Sequence, residues 1–568
     1  MEKKNLKRKD ITGYFTALAI TVLVVFVSNS FYARLDLTED KRYTLSETTK
    51  NILGNLEDIV YIKIYLSGNL PPAFNRLRNS VRELLDEYRV IAKDLIQYEF
   101  INLSEIEDVE ARNRLYEELS EKGLKPTNIQ ARDKEGNLSQ KLIFPGALVS
   151  YNTIEIPVQF LRNNPGLSAE ENINNSIQML EYEFTGTIKN LTADTVEKVA
   201  FIEGHGELNE LETGDITAEI ANYFQVDRGV INGNIERLKP YTAIIIAKPT
   251  EAFPEEDKFA IDQYVMNGGK VLWFIDAVRA SLDSLVDGNT VALPYNLNLD
   301  DMFFRYGFRI NHDLAKDIQS AIIPVNTELE GNAPRFTPAP WYYFPLLSNN
   351  PDHPATRGLN LVYSRFASTI DSVGTRPSLE KTVLLHTSEM SKTIDVPAVV
   401  SLEEIRNTPT RKEFNQSNLP VAVLIEGTFE SVFRNRMLSA LDIKGEYRFK
   451  EESKPTSMLV VADGNIIGND VRYTPGGPQI TPLGYDKYSR QTFGNKEFIV
   501  NVMNFITGNK GLIQLRNRDF KLRLLDESKI KNNKLEWQLV NALLPVLIII
   551  FIGLLLTYYR KRQYTIKF

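Results

Sequence analysis

Near each end of the chain lies a long uncharged apolar run, and these two runs constrain everything between them. Ile11 to Phe31, ITGYFTALAITVLVVFVSNSF, holds no charge; at about 1.5 Å per helical residue it would extend roughly 31 Å, the thickness of a hydrocarbon core. Leu539 to Tyr559, LVNALLPVLIIIFIGLLLTYY, is equally long and uncharged, with Trp537 before it, two tyrosines at its far end and Pro545 as an expected kink. Both predict transmembrane helices. A cleaved signal peptide competes for the first, because Ser28-Asn29-Ser30 fits a small-x-small cleavage site, but the run exceeds the roughly 7–15 residues of a signal-peptide core. A buried core helix competes for the second; its length and the abrupt Arg560-Lys561-Arg562 stop favour a span.

Flanking bases orient the spans. Lys3, Lys4, Lys7, Arg8 and Lys9 precede the first, against Arg34, Lys41 and Arg42 soon after it; Lys529, Lys531 and Lys534 precede the second, against Arg560, Lys561, Arg562 and Lys567 after it. The excess predicts cytoplasmic tips at residues 1–10 and 560–568. The body between the spans is then expected outside a bacterial inner membrane, in the periplasm, with lipid around both helices.

At 568 residues the chain is too long for one core, and its 43% hydrophobic and 24% charged residues are those of a folded protein. It contains no cysteine, which removes thiol nucleophiles, cysteine-held zinc, iron–sulfur clusters and disulfides together. His205, His312, His353 and His386 are scattered singly without H-x-x-x-H spacing, so no metal or cofactor is expected. The net charge is −7; the two tips carry +3 and +4, leaving −14 between them, which argues against nucleic-acid binding by the body.

Within residues 32–194, Leu45 to Leu56 predicts a short helix and Val60 to Leu66 a strand. Arg76 to Leu95 then sets Leu77, Val81, Leu84, Leu85, Tyr88, Ala92 and Leu95 on one helical face, and Ile96 to Leu103 closes a βαβ unit with parallel strands. Lys141 to Tyr151 and Thr153 to Leu161 predict a hairpin turning at Asn152, and Ser168 with Glu171 is a capping-box signature opening a helix with Ile173, Ile177, Leu180, Phe184 and Ile188 inward. The order βαβ then ββα resembles a thioredoxin-like fold, although without C-x-x-C its redox chemistry is excluded.

Residues 195–515 read as a second, doubly wound α/β domain. Val199 to Ile202, Tyr241 to Lys248 and Lys270 to Asp276 predict strands; Pro254, at a first-turn position with Glu255, Glu256 and Asp257 near the positive helix end, opens a helix that Gly268-Gly269 closes. Strands return at Pro420 to Ile425 and Ser457 to Ala462, and Lys496 to Thr507 predicts a last helix. Between them, about 277–419 is irregular and contains PRFTPAPWYYFP (Pro334 to Pro345), an expected insertion or extended β region; 516–538 is a juxtamembrane segment.

The stretch most suggestive of chemistry is KVAFIEGHGELNE, Lys198 to Glu210, which delivers Glu203, His205 and Glu207 into a glycine-rich turn after a strand. There is no G-x-x-x-x-G-K-[ST], no G-x-S-x-G, and Gly204-His205-Gly206 lacks the third glycine of a dinucleotide fingerprint. The strand order and the FIEGHGE turn resemble a class I glutamine amidotransferase-like domain, whose nucleophile is a cysteine this chain lacks. No catalytic residue is therefore assigned. Glu203, His205, Glu207 and Asp276 stay as weak binding candidates at strand carboxyl ends; the competing reading is a tight turn with a locally hydrogen-bonded histidine. Asp463, like Asp276, follows an apolar strand, where an acid commonly starts a turn or caps a helix.

Four stretches in order, RLDLTEDKRYTLSETTKNIL (Arg34 to Leu53), VAFIEGHGEL (Val199 to Leu208), PLGYDKYSRQTFGNKEFIVNVMNFITG (Pro482 to Gly508) and FKLRLLDESKI (Phe520 to Ile530), resemble the gliding-motility-associated ABC transporter auxiliary family known as GldG. The resemblance covers essentially the whole chain. It implies a non-enzymatic subunit of a bacterial inner-membrane ABC complex with a separate ATPase and a multi-span permease, in gliding bacteria. Two copies of the chain around a permease dimer, and an envelope polymer or motility component as a partner, are separate expectations that the resemblance does not itself carry. A degenerate periplasmic module binding a glycan or peptide at the Glu203/His205 turn is the alternative.

Overall fold

A computed structural model describes residues 13–16, 18–23, 44–132, 138–161, 168–192, 196–285, 288–330, 333–374, 377–406, 409–438, 442–508 and 534–565. Two compact units divide the chain: Met1–Arg42 with Asp519–Phe568, and Tyr43–Arg518. In the first unit the helix Lys534–Thr565 contains Pro545, and its stretch Gln538–Tyr559 has a mean hydropathy of 2.9 with none of it buried inside the protein. Among the described residues it is the helix long and apolar enough to cross a membrane. Residues 13–16 and 18–23 are helical. The rest of the Ile11 to Phe31 expectation, Arg34 to Tyr43 and the Phe520 to Ile530 stretch lie outside the described residues.

The amino-terminal part of the second unit is a four-stranded sheet. Helix α1 (Glu47–Gly54) leads into β1 (Val60–Ile64), α2 (Pro72–Ala92) and β2 (Ile96–Phe100), and β1 and β2 pair in parallel as their connection requires. Helix α2 buries Leu77, Val81, Leu85, Tyr88 and Ala92 at the spacing read from sequence, while Leu84 and Leu95 only pack against the core edge. It begins at Pro72, earlier than predicted, because Pro fits a helical first turn. Helix α3 (Val109–Glu121), with too polar a face to be legible, and the hairpin β3 (Thr127–Arg132) and β4 (Leu138–Ile143) follow. The single strand expected over Lys141 to Tyr151 is two: β4 ends at Ile143 and β5 (Gly146–Tyr151) starts after Phe144-Pro145. Strand β5 turns at Asn152, in the left-handed region at φ 53°, into β6 (Ile154–Gln159). The sheet order is β2-β1-β5-β6, with β5 antiparallel to β1. Helix α4 (Ala169–Leu191) covers it, opened by the Ser168/Glu171 capping box with both reciprocal bonds formed.

The second sheet has ten strands. Its central part comprises β7 (Lys198–Glu203), β8 (Gln225–Val230), β9 (Ala243–Ala247), β10 (Lys270–Phe274) and the strand Thr456–Val461, all parallel, in the order β8-β7-β9-β10-Thr456–Val461. Every residue of β9 is buried, as the unbroken β-branched run predicts for a strand covered on both faces. One face carries Ile244, Ile246, Val271 and Trp273 against Phe259, Ala260 and Val265 of helix α6 (Glu255–Met266); the other carries Phe201, Ile245, Leu272 and Phe274 with Ile216 and Ile220 of α5 (Gly214–Ile220) and Phe498 and Met503 of the helix Asn495–Ile506. Pro254 is the residue before α6 rather than in its first turn.

The segment about 277–419, read as an irregular insertion or an extended β region, takes the second form in part: its regular structure is chiefly β strands. It supplies the long hairpin Ser320–Glu330 and Ala333–Asn349 and the strand Leu379–His386, which with Pro420–Gly427 extend the sheet antiparallel beyond Thr456–Val461. Pro334 to Pro345 thus lies inside a strand, in a hairpin at the sheet edge, where proline's missing N–H is tolerated. Trp341, Tyr342, Tyr343 and Phe344 are buried packing residues.

Candidate functional site

In a parallel sheet of order 2-1-3-4-5 the connections reverse direction between the first and third strands, and the crevice outside their carboxyl ends is where such sheets take ligands. Here those strands are β7 and β9, and the turn after β7 is Gly204-His205-Gly206. Both glycines have positive φ, 113° and 72°. A Cβ on Gly206 would come 2.2 Å from Thr250 Oγ1, because the loop after β9 closes on this turn: Thr250 and Glu251 N–H both donate to His205 O at 2.9 Å.

The turn drives the imidazole inward, where it is 2% exposed and stacked on Phe253 with ring centroids 3.7 Å apart. His205 Nδ1 lies 2.9 Å from Glu207 Oε1 and Nε2 lies 3.0 Å from Asp257 Oδ2. Burial opposes a charge on the ring, but the hydrogen bonds to Asp257 and Glu207 outweigh it and lift its pKa to about 9. At neutral pH it is an imidazolium donating from both nitrogens. Asp257, in the first turn of α6, also accepts from Gly233 N–H after β8; burial pushes against its charge, yet these bonds hold its pKa below the usual value. His205 thus knots the loops after β7, β8 and β9, and neither nitrogen is open to a ligand or a proton-transfer partner.

Glu203 is not part of the knot. It pairs at 2.7 Å with Arg228 Nε, whose other nitrogens donate to Thr213 Oγ1 and Leu208 O, both at 2.8 Å. Of the four sequence candidates, the structure therefore brings together His205 and Glu207 and separates Glu203 and Asp276.

Asp276 belongs to a second cluster, at the carboxyl ends of β9, β10 and Thr456–Val461. Its Oδ1 accepts from Gly464 N–H at 2.6 Å, and Lys248 Nζ stands 3.5 Å from Oδ2 while donating to Asn465 Oδ1 at 2.6 Å. Asp463 is fully buried; it accepts from Asn465 N–H at 2.8 Å, capping the short helix Gly464–Ile466 as read from sequence, and from Arg365 N–H at 2.8 Å. Burial, with the charge of Asp276 adding to it, raises Asp463 to about 7; burial also raises Asp276, against the pull of Lys248. Among the described residues no group of three or more histidines and carboxylates is placed to hold a metal ion.

Asp257, Lys248 and Arg228 were not singled out as site residues. Asp257 was legible as an acid at a helix start, but its partner lies 52 residues away, and no local pattern marks such a pairing.

The model of the ABC-type uncharacterized transport system family (ABC_transp_aux) matches residues 196–502, more than half of the chain, and the chain belongs to that family. A model of a domain of unknown function, DUF7088, matches residues 39–150. An uncharacterized protein of Borreliella burgdorferi is 21% identical over 566 residues, spanning 98% of this chain and 99% of the relative. A solved structure titled mmIFT52 N-terminal domain covers 55% of this chain and 98% of its own at 12% identity and a TM-score of 0.31, too distant to inform the fold.

Proposed function

We propose that this chain is a non-catalytic auxiliary subunit of a bacterial inner-membrane ABC complex of the gliding-motility type, working beside a separate ATPase and a multi-span permease. Membership of a transport-system family supports the accessory role. The observation that carries the non-catalytic reading is the His205 knot: at the crevice where a sheet of this order takes substrate, both ring nitrogens are consumed by Glu207 and Asp257. Gln538–Tyr559 is consistent with membrane association, and the flanking bases support cytoplasmic termini and a periplasmic body.

The sheet order β2-β1-β5-β6 supports a thioredoxin-like amino-terminal domain, and the parallel order of the second sheet supports an amidotransferase-like relative that has lost its nucleophile. In this reading the terminal helices pack on the permease and transmit ATP-driven motion to the outer domains, with contacts that differ between nucleotide states. The test is ATPase activity of the reconstituted ATPase–permease pair with the full chain or with a soluble fragment of residues 44–508. The proposal expects stimulation by the full chain alone; equal stimulation by the fragment would sink the coupling.

A further inference from the structure

At the opposite end of the large sheet, outside the amino ends of β9 and β10, lies a cavity of about 420 Å3, within the roughly 300–1,000 Å3 range of small-molecule sites. Its floor is the carboxyl end of α6, where the Tyr264 ring packs so closely on Gly269 that a Cβ there would come 2.4 Å from it. Tyr241 and Tyr447 add aromatic walls, and Tyr447 is 41% exposed. In a chain of net charge −7 the lining holds four bases, Lys239, Lys270, Arg448 and Lys450, against one acid, Glu446.

Two of the bases are engaged. Lys239 Nζ donates to Glu236 Oε1 at 3.0 Å and to Glu446 O at 3.3 Å, and Lys450 Nζ to Asn267 Oδ1 at 2.6 Å. Lys270 and Arg448 make no side-chain hydrogen bond or close ion pair among the described residues; Lys270 is half-buried, with burial depressing its pKa and the charge of Glu197 opposing that. An ammonium and a guanidinium that lack such bonds among the described residues, on one cavity, suit an anion, since a bound phosphate or carboxylate would supply charge-assisted bonds to both. Tyrosine walls with the Thr242 hydroxyl suit a hydroxylated ring beside that anion.

We propose that this cavity binds an acidic sugar, a phosphate or carboxylate on a sugar ring, with Lys270 and Arg448 holding the anion and Tyr241 and Tyr447 bordering the ring. The site is remote from the His205 knot and does not depend on the transporter reading.

The experiment is calorimetric titration of the full-length protein in detergent with glucose 1-phosphate, glucuronate, glucose and inorganic phosphate. Saturable binding of glucose 1-phosphate or glucuronate is expected, at least tenfold tighter than glucose or inorganic phosphate; which of the two binds more tightly assigns the anion. Lys270→Gln and Arg448→Gln should each weaken that binding at least tenfold. Arg448 sits in an exposed loop, so its variant decides the matter should Lys270→Gln fail to fold. No saturable binding of either anionic sugar, or binding unchanged in Arg448→Gln, overturns the site. Inorganic phosphate binding as tightly as glucose 1-phosphate overturns the sugar assignment.

Discussion

A buried histidine between two carboxylates ties folding to pH with a definite sign. The pKa of His205 is raised from about 6.5 in an unfolded chain to about 9, so its contribution is fully present below about pH 6.5 and is lost as pH rises through 9. His205→Phe preserves a stacked ring on Phe253 but strands two buried carboxylates; it should cost about 3–5 kcal/mol at pH 6 and clearly less at pH 9.5, read as the difference in urea unfolding from the parent. A pH-independent cost would contradict the imidazolium. Asp463 has the same sign in a lower pH window. Its pKa is raised, so the folded state holds its proton longer than the unfolded chain does, and stability falls as pH rises from about 4 to 7. Asp463→Asn should therefore gain on the parent by more than about 1 kcal/mol between pH 4 and pH 8; no relative gain would rule out the buried pair with Asp276. The sequence announced His205 as a residue in a special place, because glycines flank it on both sides. It did not reveal the role, which depends on Asp257 and Phe253 arriving from other elements.

At the scale of elements, local chemistry was the legible part. Ser168 and Glu171 predicted a helix start that the structure forms with both bonds of the box, and Ser168→Ala should cost about 1 kcal/mol in a thermal or urea melt. Gly206 is fixed twice over, by φ 72° and by the closeness of Thr250; Gly206→Ala should destabilise the turn by about 1–3 kcal/mol, whereas Gly229→Ala, in open space on β8, should be near neutral. Strands with unbroken apolar runs, such as Ala243–Ala247, were readable for the same reason: burial on both faces leaves a signature that needs no partner to interpret. The extension of the sheet through 320–349, 379–386 and 420–427 was only partly readable. Its pairings join segments far apart in sequence, and Pro334 to Pro345 carries turn-formers that tertiary pairing at an edge overrides.

For the whole molecule, the sheet order places a crevice between β7 and β9, and the chain fills it with a saturated ion triad rather than an open nucleophile or metal site. A protein whose crevice between β7 and β9 is filled by this triad, that belongs to a transport-system family and that carries a 22-residue apolar helical stretch exposed along its length is suited to act through partners. The central claim is therefore one of association. The most direct test is gentle detergent extraction of the full-length tagged protein from its native membranes, followed by mass spectrometry of what remains bound. The account predicts stoichiometric recovery of an ABC ATPase and a multi-span permease; recovery of the protein free of both would contradict it.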